Sequence, residues 1–314
     1  MRNYVIRRIL QIIPVLLGVS ILIFAVMKLI PGDVISGALG VEGSPELRQA
    51  LTVKYGLDKP YHVQYINWIL GVLHGDFGDS LRTSEPIFPE MMRRFSVTAE
   101  LTILGALISW IIAIPLGILA ATHRNKGIDR FVRVFALMGV SIPSFALSIL
   151  VILFLALVFS YFSPLGYVSF FENPVKNLQI MILPSFVLGI TIAGSIMRMT
   201  RSSMLEVLQQ DFIKTVRAKG ASERITIFKH ALRNAFIPII TLIGMQIGSL
   251  LGGAVIIEQI FSLPGLGQMT LTGINQRDYP VVQGCVLFIA FIYILVNLIT
   301  DLLYAYIDPR ISYN

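Results

Sequence analysis

Residues 235–257 read AFIPIITLIGMQIGSLLGGAVII, a run of 23 residues without Asp, Glu, Lys or Arg. The hydrocarbon core of a bilayer is about 30 Å thick, so about 20 consecutive apolar residues are needed for a helix to cross it. The run therefore predicts a membrane-spanning helix. Five further stretches satisfy the same criterion, at 9–30, 98–121, 134–162, 178–197 and 279–300.

The composition of the whole chain agrees with a membrane protein. Of its 314 residues, 55% are hydrophobic and 14% are charged, whereas roughly 25% of the residues in soluble domains are charged. A soluble fold of this size has too little interior for so much apolar surface, and disordered chains are polar. The sequence therefore predicts an all-α integral membrane protein with six transmembrane helices.

The basic residues between the predicted spans indicate the orientation. The N-terminus carries Arg2, Arg7 and Arg8, and the 198–233 connection has eight basic residues against three acidic ones. The 122–133 connection is also basic, whereas the alternate connections are near neutral. Lys and Arg accumulate in loops that remain in the cytoplasm. We therefore expect both termini and both basic connections to be cytoplasmic, and we attribute the net charge of +7 to this bias rather than to nucleic-acid binding.

Three regions follow from this topology. Residues 1–30 form a cytoplasmic N-terminus and the first transmembrane helix, residues 31–97 form an extracytoplasmic segment, and residues 98–314 form a five-helix core. The extracytoplasmic segment is long and mixed in charge, but it is not of low complexity. We therefore expect it to fold in part, with short helices near 45–55 and 60–73.

Sequence signatures of catalysis are absent. The chain has no G-x-x-x-x-G-K-[ST] loop for nucleotide phosphates, no H-E-x-x-H metal motif and no G-x-S-x-G nucleophile elbow. Its four histidines are too scattered along the sequence to predict a metal site. The centres of the spans contain no acidic or basic pair of the kind that proton-coupled carriers and intramembrane hydrolases use. We therefore predict no catalytic residue and no metal ligand, and we expect the lone Cys285 to be a small packing residue.

The basic 198–233 segment is too polar to span the membrane, yet it has a helical pattern. Its apolar residues recur on one helical face at Ala221, Ile225, Phe228 and Leu232. Gly220 precedes this pattern, and glycine disfavours a helix interior by about 1 kcal/mol but permits a sharp turn. The segment therefore predicts a helix, a tight turn at Gly220 and then a short amphipathic helix. A basic helix of this kind suits either anionic lipid or a cytoplasmic partner; the glycine break and the links to two spans favour the partner.

A glycine stripe lies on the fifth predicted span. Gly244, Gly248 and Gly252 are four residues apart, so they share one helix face on which another helix can approach closely. Two interpretations remain open for this stripe. It serves helix packing within the chain, or it meets a second, similar subunit along a translocation path.

Residues 211–220 read DFIKTVRAKG and residues 229–238 read KHALRNAFIP. These stretches resemble the cytoplasmic loop of ABC importer permeases, in particular the B-type permease of dipeptide, oligopeptide and nickel importers, a type of binding-protein-dependent transport inner membrane component. Lys214, Thr215 and Val216 stand where the general loop motif has Glu-Ala-Ala, whereas its glycine is kept. Further matches lie along the whole chain: PGD (31–33), HGDFG (74–78), GVSIP (139–143), FSLPGLG (261–267), RDYP (277–280) and DLLYAYIDPR (301–310).

The resemblance implies the six-helix fold of an ABC importer permease, with a cytoplasmic coupling helix and a long extracytoplasmic loop after the first helix. In such permeases the loop presents its coupling helix to a cleft on an ATP-hydrolysing subunit. For the coupling segment 198–234, this implies contacts at seven residues around the glycine turn: Arg217, Ala218, Lys219, Gly220, Ala221, Ser222 and Glu223.

The resemblance also implies the partners. They are a second homologous permease subunit, two ATP-binding subunits and an extracytoplasmic substrate-binding protein, for which the 31–97 segment is the expected docking surface. ATP and Mg are expected on the ATPase subunits, so this chain is expected to carry no cofactor and to be no enzyme. The expected location is the inner membrane of a prokaryotic cell, which the chain crosses several times.

The function implied by the resemblance is the import of small peptides, di- or oligopeptides, by alternating access coupled to the partner ATPases. Nickel, other metal chelates and glutathione are alternative substrates for the same architecture. A self-contained secondary carrier or channel is a further alternative, which the uncharged span centres and the coupling-loop pattern disfavour. A membrane-embedded enzyme lacks a visible nucleophile and base. The sequence assigns no residue to substrate binding.

Overall fold

A computed structural model of the chain describes residues 2–29, 45–164 and 166–307. Within these ranges the chain is almost wholly helical, and its β-structure is limited to an isolated bridge between Asp79 and Pro86. The helices, in chain order, are α1 (Arg2–Leu29), α2 (Pro45–Lys54), α3 (Tyr61–Leu73), α4 (Ile87–Thr122), α5 (Gly127–Ser141), α6 (Ser144–Phe159), α7 (Pro174–Leu208), α8 (Asp211–Ala218), α9 (Glu223–Ile225), α10 (Leu232–Phe261), α11 (Leu266–Gln276) and α12 (Tyr279–Ile307). A π-helical segment, Thr226–Ala231, joins α9 to α10.

Five of the predicted spans are continuous helices. In the part of the chain that the structure describes, the segments long and apolar enough to cross a membrane unaided are Leu10–Leu29, Ile87–Thr122, Pro174–Leu208, Glu223–Phe261 and Tyr279–Leu302. They match the first, second, fourth, fifth and sixth predicted spans. The short helices expected after the first span are also present, as α2 and α3.

The third predicted span, at 134–162, is not one continuous helix. It falls on α5 and α6, whose axes are bent by 111°. Pro143 lacks an N–H group and restricts the residue before it to extended conformations, and Ile142 indeed has φ −85° and ψ 121°. The two helices have 15 and 16 residues, too few to cross a membrane singly. The spans number six when this broken pair is counted as one.

The chain forms two compact units. Unit 1 comprises Met1–Thr98 and Pro264–Leu295. Its apolar core joins α4, α11 and α12, and its buried members are Ile87, Met91, Leu266, Met269, Val281, Cys285 and Phe288. Cys285 is fully buried in this cluster, so its predicted role as a small packing residue is confirmed.

Unit 2 comprises Ala99–Leu263 and Val296–Asn314, and α7 is its central helix. Small residues let the helices approach closely, as in other membrane helix bundles. A β-carbon at Gly194 of α7 would collide with the Ala136 carbonyl of α5, and one at Gly189 would lie 2.6 Å from the Gly105 carbonyl of α4. The two glycines therefore set the distance between α7 and its neighbours.

Candidate functional site

The turn at Gly220 separates α8 from the helical segment that follows. Gly220 has φ +80°, in the left-handed region that disfavours side chains. The turn is closed by backbone bonds from Gly220 N to Arg217 O (2.9 Å) and from Ala221 N to Val216 O (3.4 Å). A β-carbon at Gly220 would meet no atom within 4 Å. The predicted tight turn is confirmed, and glycine is required there by backbone conformation rather than by packing within the chain.

An ion pair crosses this turn. Arg217 Nε donates to Glu223 Oε1 at 2.8 Å, and Arg217 Nη2 donates to Oε2 at 3.2 Å. Both side chains are largely exposed, so the pair contributes at most about 1 kcal/mol to stability. Ser222 caps the next helical turn by accepting from Ile225 N at 3.4 Å. Six of the seven predicted contact residues are exposed, and Ala221 is half-buried.

The short helix α8 is anchored to the bundle by one apolar side chain. Ile213 is completely buried, and it packs with Met204 of α7 and Ile118 of α4. Ala231 and Ala235, which are also buried in this cluster, extend the contact to the start of α10. Through this cluster α8 packs against the ends of three long helices.

The segment after the turn differs from its prediction. The prediction of a short, separate amphipathic helix is wrong, because α9, the π-helical segment and α10 form one continuous helical run from Glu223 to Phe261. Ile225 and Phe228, two residues of the predicted apolar face, are 47% and 55% exposed, whereas Thr226 is fully buried. A π-helical turn holds more residues than an α-turn. The helix face therefore shifts in a way that an α-helical period does not predict.

The exposed apolar residues form a groove beside the turn. Its volume is about 840 Å³, and Phe212 and Phe228 contribute its aromatic surface. Lys229, His230 and Arg233 contribute basic side chains to the same groove. The groove therefore presents both apolar and basic side chains.

A buried ion pair lies elsewhere in unit 2, and the sequence did not single it out. The Asp129 carboxylate at the start of α5 is completely buried. Arg201 of α7 donates to it from Nε at 2.6 Å and from Nη2 at 3.0 Å, and Asn125 N donates at 2.9 Å. Arg133 Nε lies 3.6 Å away. The signal in the sequence was a single acidic residue in an otherwise basic connection.

The glycine stripe of α10 divides into a packed part and an open part. Gly244 is buried, and a β-carbon there would collide with Thr300 of α12. Gly248 is also buried. Gly252 is exposed, and a β-carbon there would meet no atom within 4 Å. Packing within the chain therefore accounts for Gly244, whereas Gly252 leaves an open surface.

Hydrogen bonds in unit 1 join two of the sequence motifs to residues far away in the chain. Asp278 is buried and accepts hydrogen bonds from Ser80 Oγ at 2.5 Å and from Leu81 N at 3.3 Å. Thr98 Oγ1 accepts from Leu266 N at 2.9 Å. These bonds fix the RDYP motif to the loop that follows HGDFG, and the PGLG motif to Thr98 of α4. Within the described ranges, no group of three or more His, Cys, Asp or Glu side chains is placed to hold a metal ion.

Comparison with known proteins identifies the family. Residues 113–313 match the binding-protein-dependent transport system inner membrane component family, and residues 1–102 match the N-terminal region of such membrane components. The whole chain is 41% identical to the dipeptide transport system permease protein DppB of Alkalihalophilus pseudofirmus, over that protein's full length. It is 40% identical to DppB of Escherichia coli (strain K12), of which 99% is covered.

A solved structure shares the fold. A chain of the inward-facing MetNI methionine ABC transporter superposes with a TM-score of 0.58 at 19% identity, and the match covers 72% of this chain and 100% of that one. The family resemblance seen in the sequence motifs is thereby confirmed. The chain belongs to the family of binding-protein-dependent transport system inner membrane components.

Proposed function

We propose that this chain is a permease subunit of an ATP-driven importer of small peptides. The family match and the full-length similarity to two dipeptide transport system permeases support this proposal. One observation supports the coupling role above the others. The helix α8 is anchored to the bundle through Ile213, while the Gly220 turn that follows it is exposed. Import of nickel, another metal chelate or glutathione is the alternative for the same architecture.

Coupling begins at the seven residues around the turn, Arg217 to Glu223, which contact a cleft on the ATPase subunit. The basic groove beside the turn extends this contact, and acidic side chains of the partner suit it. Because Ile213 of α8 is buried against α4 and α7, a movement of the ATPase displaces α8 and, with it, these two helices as rigid bodies. ATP and Mg bind to the partner ATPase, which hydrolyses the ATP, so this chain is not an enzyme.

The orientation follows from the coupling role. The Gly220 turn and the buried Asp129–Arg201 pair lie on the cytoplasmic side, together with both termini. The segment that contains α2 and α3 then lies outside, where an extracytoplasmic substrate-binding protein delivers its peptide. The open surface at Gly252 of α10 is the contact proposed for a second, homologous permease subunit.

The experiment is to purify the tagged chain in mild detergent from its native membrane and to identify co-purifying proteins by mass spectrometry. We expect two ATP-binding subunits, a second six-span permease and a substrate-binding protein. The complex is then reconstituted in proteoliposomes, where uptake of a labelled dipeptide should require ATP. Transport by the chain alone, driven by an ion gradient, would establish a secondary carrier instead. ATP-dependent uptake of nickel chelates or glutathione but not of dipeptides would contradict the peptide assignment.

A further inference from the structure

Unit 1 contains a small cavity that the coupling role does not use. It lies among the end of α1, helix α3, the loop before α4 and the start of α12, and its volume is about 240 Å³. Ligand sites for drug-sized molecules measure roughly 300–1,000 Å³. The cavity therefore suits a molecule no larger than a very short peptide.

One wall of the cavity holds a positioned ammonium group. Lys28 Nζ donates to Gln64 Oε1 at 2.6 Å and lies 5.3 Å from the centroid of the Phe24 ring. Gln64 is itself fixed, because its Nε2 donates to Leu57 O at 3.1 Å and to Lys59 O at 2.6 Å. An ammonium group has three donors. Lys28 therefore retains donors for an anionic group in the cavity.

The opposite charge is also present in the lining. Asp76 and Asp79 both line the cavity. Asp76 Oδ1 accepts from Gly78 N at 2.8 Å, which holds the loop in shape. Across the described residues, neither carboxylate lies within 4 Å of a Lys or Arg nitrogen, Lys28 included. The cavity thus presents one ammonium and two carboxylates that do not neutralise one another.

Aromatic rings complete the lining. Trp68, Phe77 and Tyr279 line the cavity together with Phe24. Tyr279 is 8% exposed, and its hydroxyl is buried without a hydrogen-bond partner, as is the indole N–H of Trp68. Aromatic faces attract both apolar side chains and ammonium groups. Such a lining suits an organic zwitterion better than an inorganic ion.

We propose that this cavity binds a short zwitterionic peptide. The peptide carboxylate pairs with Lys28, its ammonium group pairs with Asp76 and Asp79, and its side chains contact Trp68 and Phe77. This inference rests on the proposed peptide-import function and adds to it a peptide subsite on the permease itself. In the proposed orientation the cavity lies on the outer side, because Lys28 is at the end of α1 opposite the N-terminus.

The test uses the assembled importer in nanodiscs of phosphatidylglycerol, which contains no ammonium headgroup. A dipeptide of alanine and photoleucine, with both termini free, is irradiated with the complex, and its adducts are mapped by mass spectrometry. We expect adducts on residues that line the cavity, and competition by unlabelled dialanine but not by dialanine with blocked termini. Lys28→Met and Asp79→Asn should each raise the half-saturating concentration about tenfold or more, because each removes a charge-assisted contact.

Matched variants control for general damage. Lys176→Met and Asp58→Asn change exposed residues that do not line the cavity, and they should leave the adducts unchanged. Adducts confined to other regions, or equal competition by the blocked dipeptide, would overturn the proposal. Suppression of the adducts by added phosphatidylethanolamine would assign the cavity to lipid headgroups and overturn it as well. Dipeptide uptake by the same complex in proteoliposomes, without cavity adducts in nanodiscs, would refute the subsite alone, whereas absence of ATP-driven dipeptide uptake would refute the proposed function.

Discussion

Arg201 of α7 donates two hydrogen bonds, of 2.6 and 3.0 Å, to the Asp129 carboxylate of α5, and Asp129 has no exposed side-chain surface. A buried carboxylate is tolerated only when its charge is compensated. This pair therefore fixes the start of α5 against the end of α7, next to the segment proposed to meet the ATPase.

Removing the cation of this pair should destabilise the chain strongly. Arg201→Met leaves the buried carboxylate with only the Asn125 N–H and the more distant, half-exposed Arg133, so we expect a loss of about 3 kcal/mol in the free energy of unfolding. Thermal unfolding in detergent measures the effect. Arg198→Met is the matched control, since Arg198 lies on the same helix and is exposed. The added change Asp129→Asn should restore part of the lost stability, and a single variant as stable as wild type would contradict the role.

The left-handed conformation of Gly220 predicts a graded effect of substitution. Gly220→Val should reduce peptide uptake severely, because a β-branched residue is strained at φ +80°. Gly220→Asn should be milder, because asparagine adopts this conformation more readily. Uptake and ATP hydrolysis are measured together in proteoliposomes, and hydrolysis should persist without uptake. Gly127→Ala is the control, because a β-carbon there meets no atom within 4 Å. Equal uptake by the valine and asparagine variants would contradict the conformational explanation.

The anchor at Ile213 predicts a mechanical defect. Ile213→Ala should leave a cavity under α8, which costs about 2–5 kcal/mol of local packing. We expect the ATPase to bind and hydrolyse ATP while uptake falls several-fold, as measured in the same assay. Ile225→Ala serves as the comparison, since Ile225 is 47% exposed. If both variants transported at the wild-type rate, α8 would not transmit force through Ile213.

The two ends of the glycine stripe should respond differently. Gly244→Ala should lower the thermal stability of the isolated chain, because the new methyl group collides with Thr300. Gly252→Leu should leave that stability unchanged, because its surroundings within the chain are open. In a pull-down with the tagged Gly252→Leu chain, less of the second permease should co-purify than with the wild-type chain. Normal recovery of that partner would place the interface elsewhere on α10.

The local features of the coupling segment were predictable, but its packing was not. Gly220 interrupts a helical pattern, and glycine at such a position permits a sharp turn, so the sequence indicated the turn itself. The apolar period placed Ile225 and Phe228 on one helix face and did not predict that Thr226, which lies between them, is fully buried. The π-helical turn at Thr226–Ala231 changes the register, and its formation depends on neighbouring helices rather than on the segment alone.

The sequence by itself determined the membrane class, the number and approximate limits of the apolar spans and the turn at Gly220. These follow from composition, from about 20 apolar residues per bilayer crossing and from the conformational needs of single residues, all of which are local. Only the tertiary structure decided the 111° break between α5 and α6, the burial of Asp129 against Arg201 and the charged cavity beside Lys28. Those features depend on which residues from distant parts of the chain come into contact, and neither hydropathy nor periodicity contains that information.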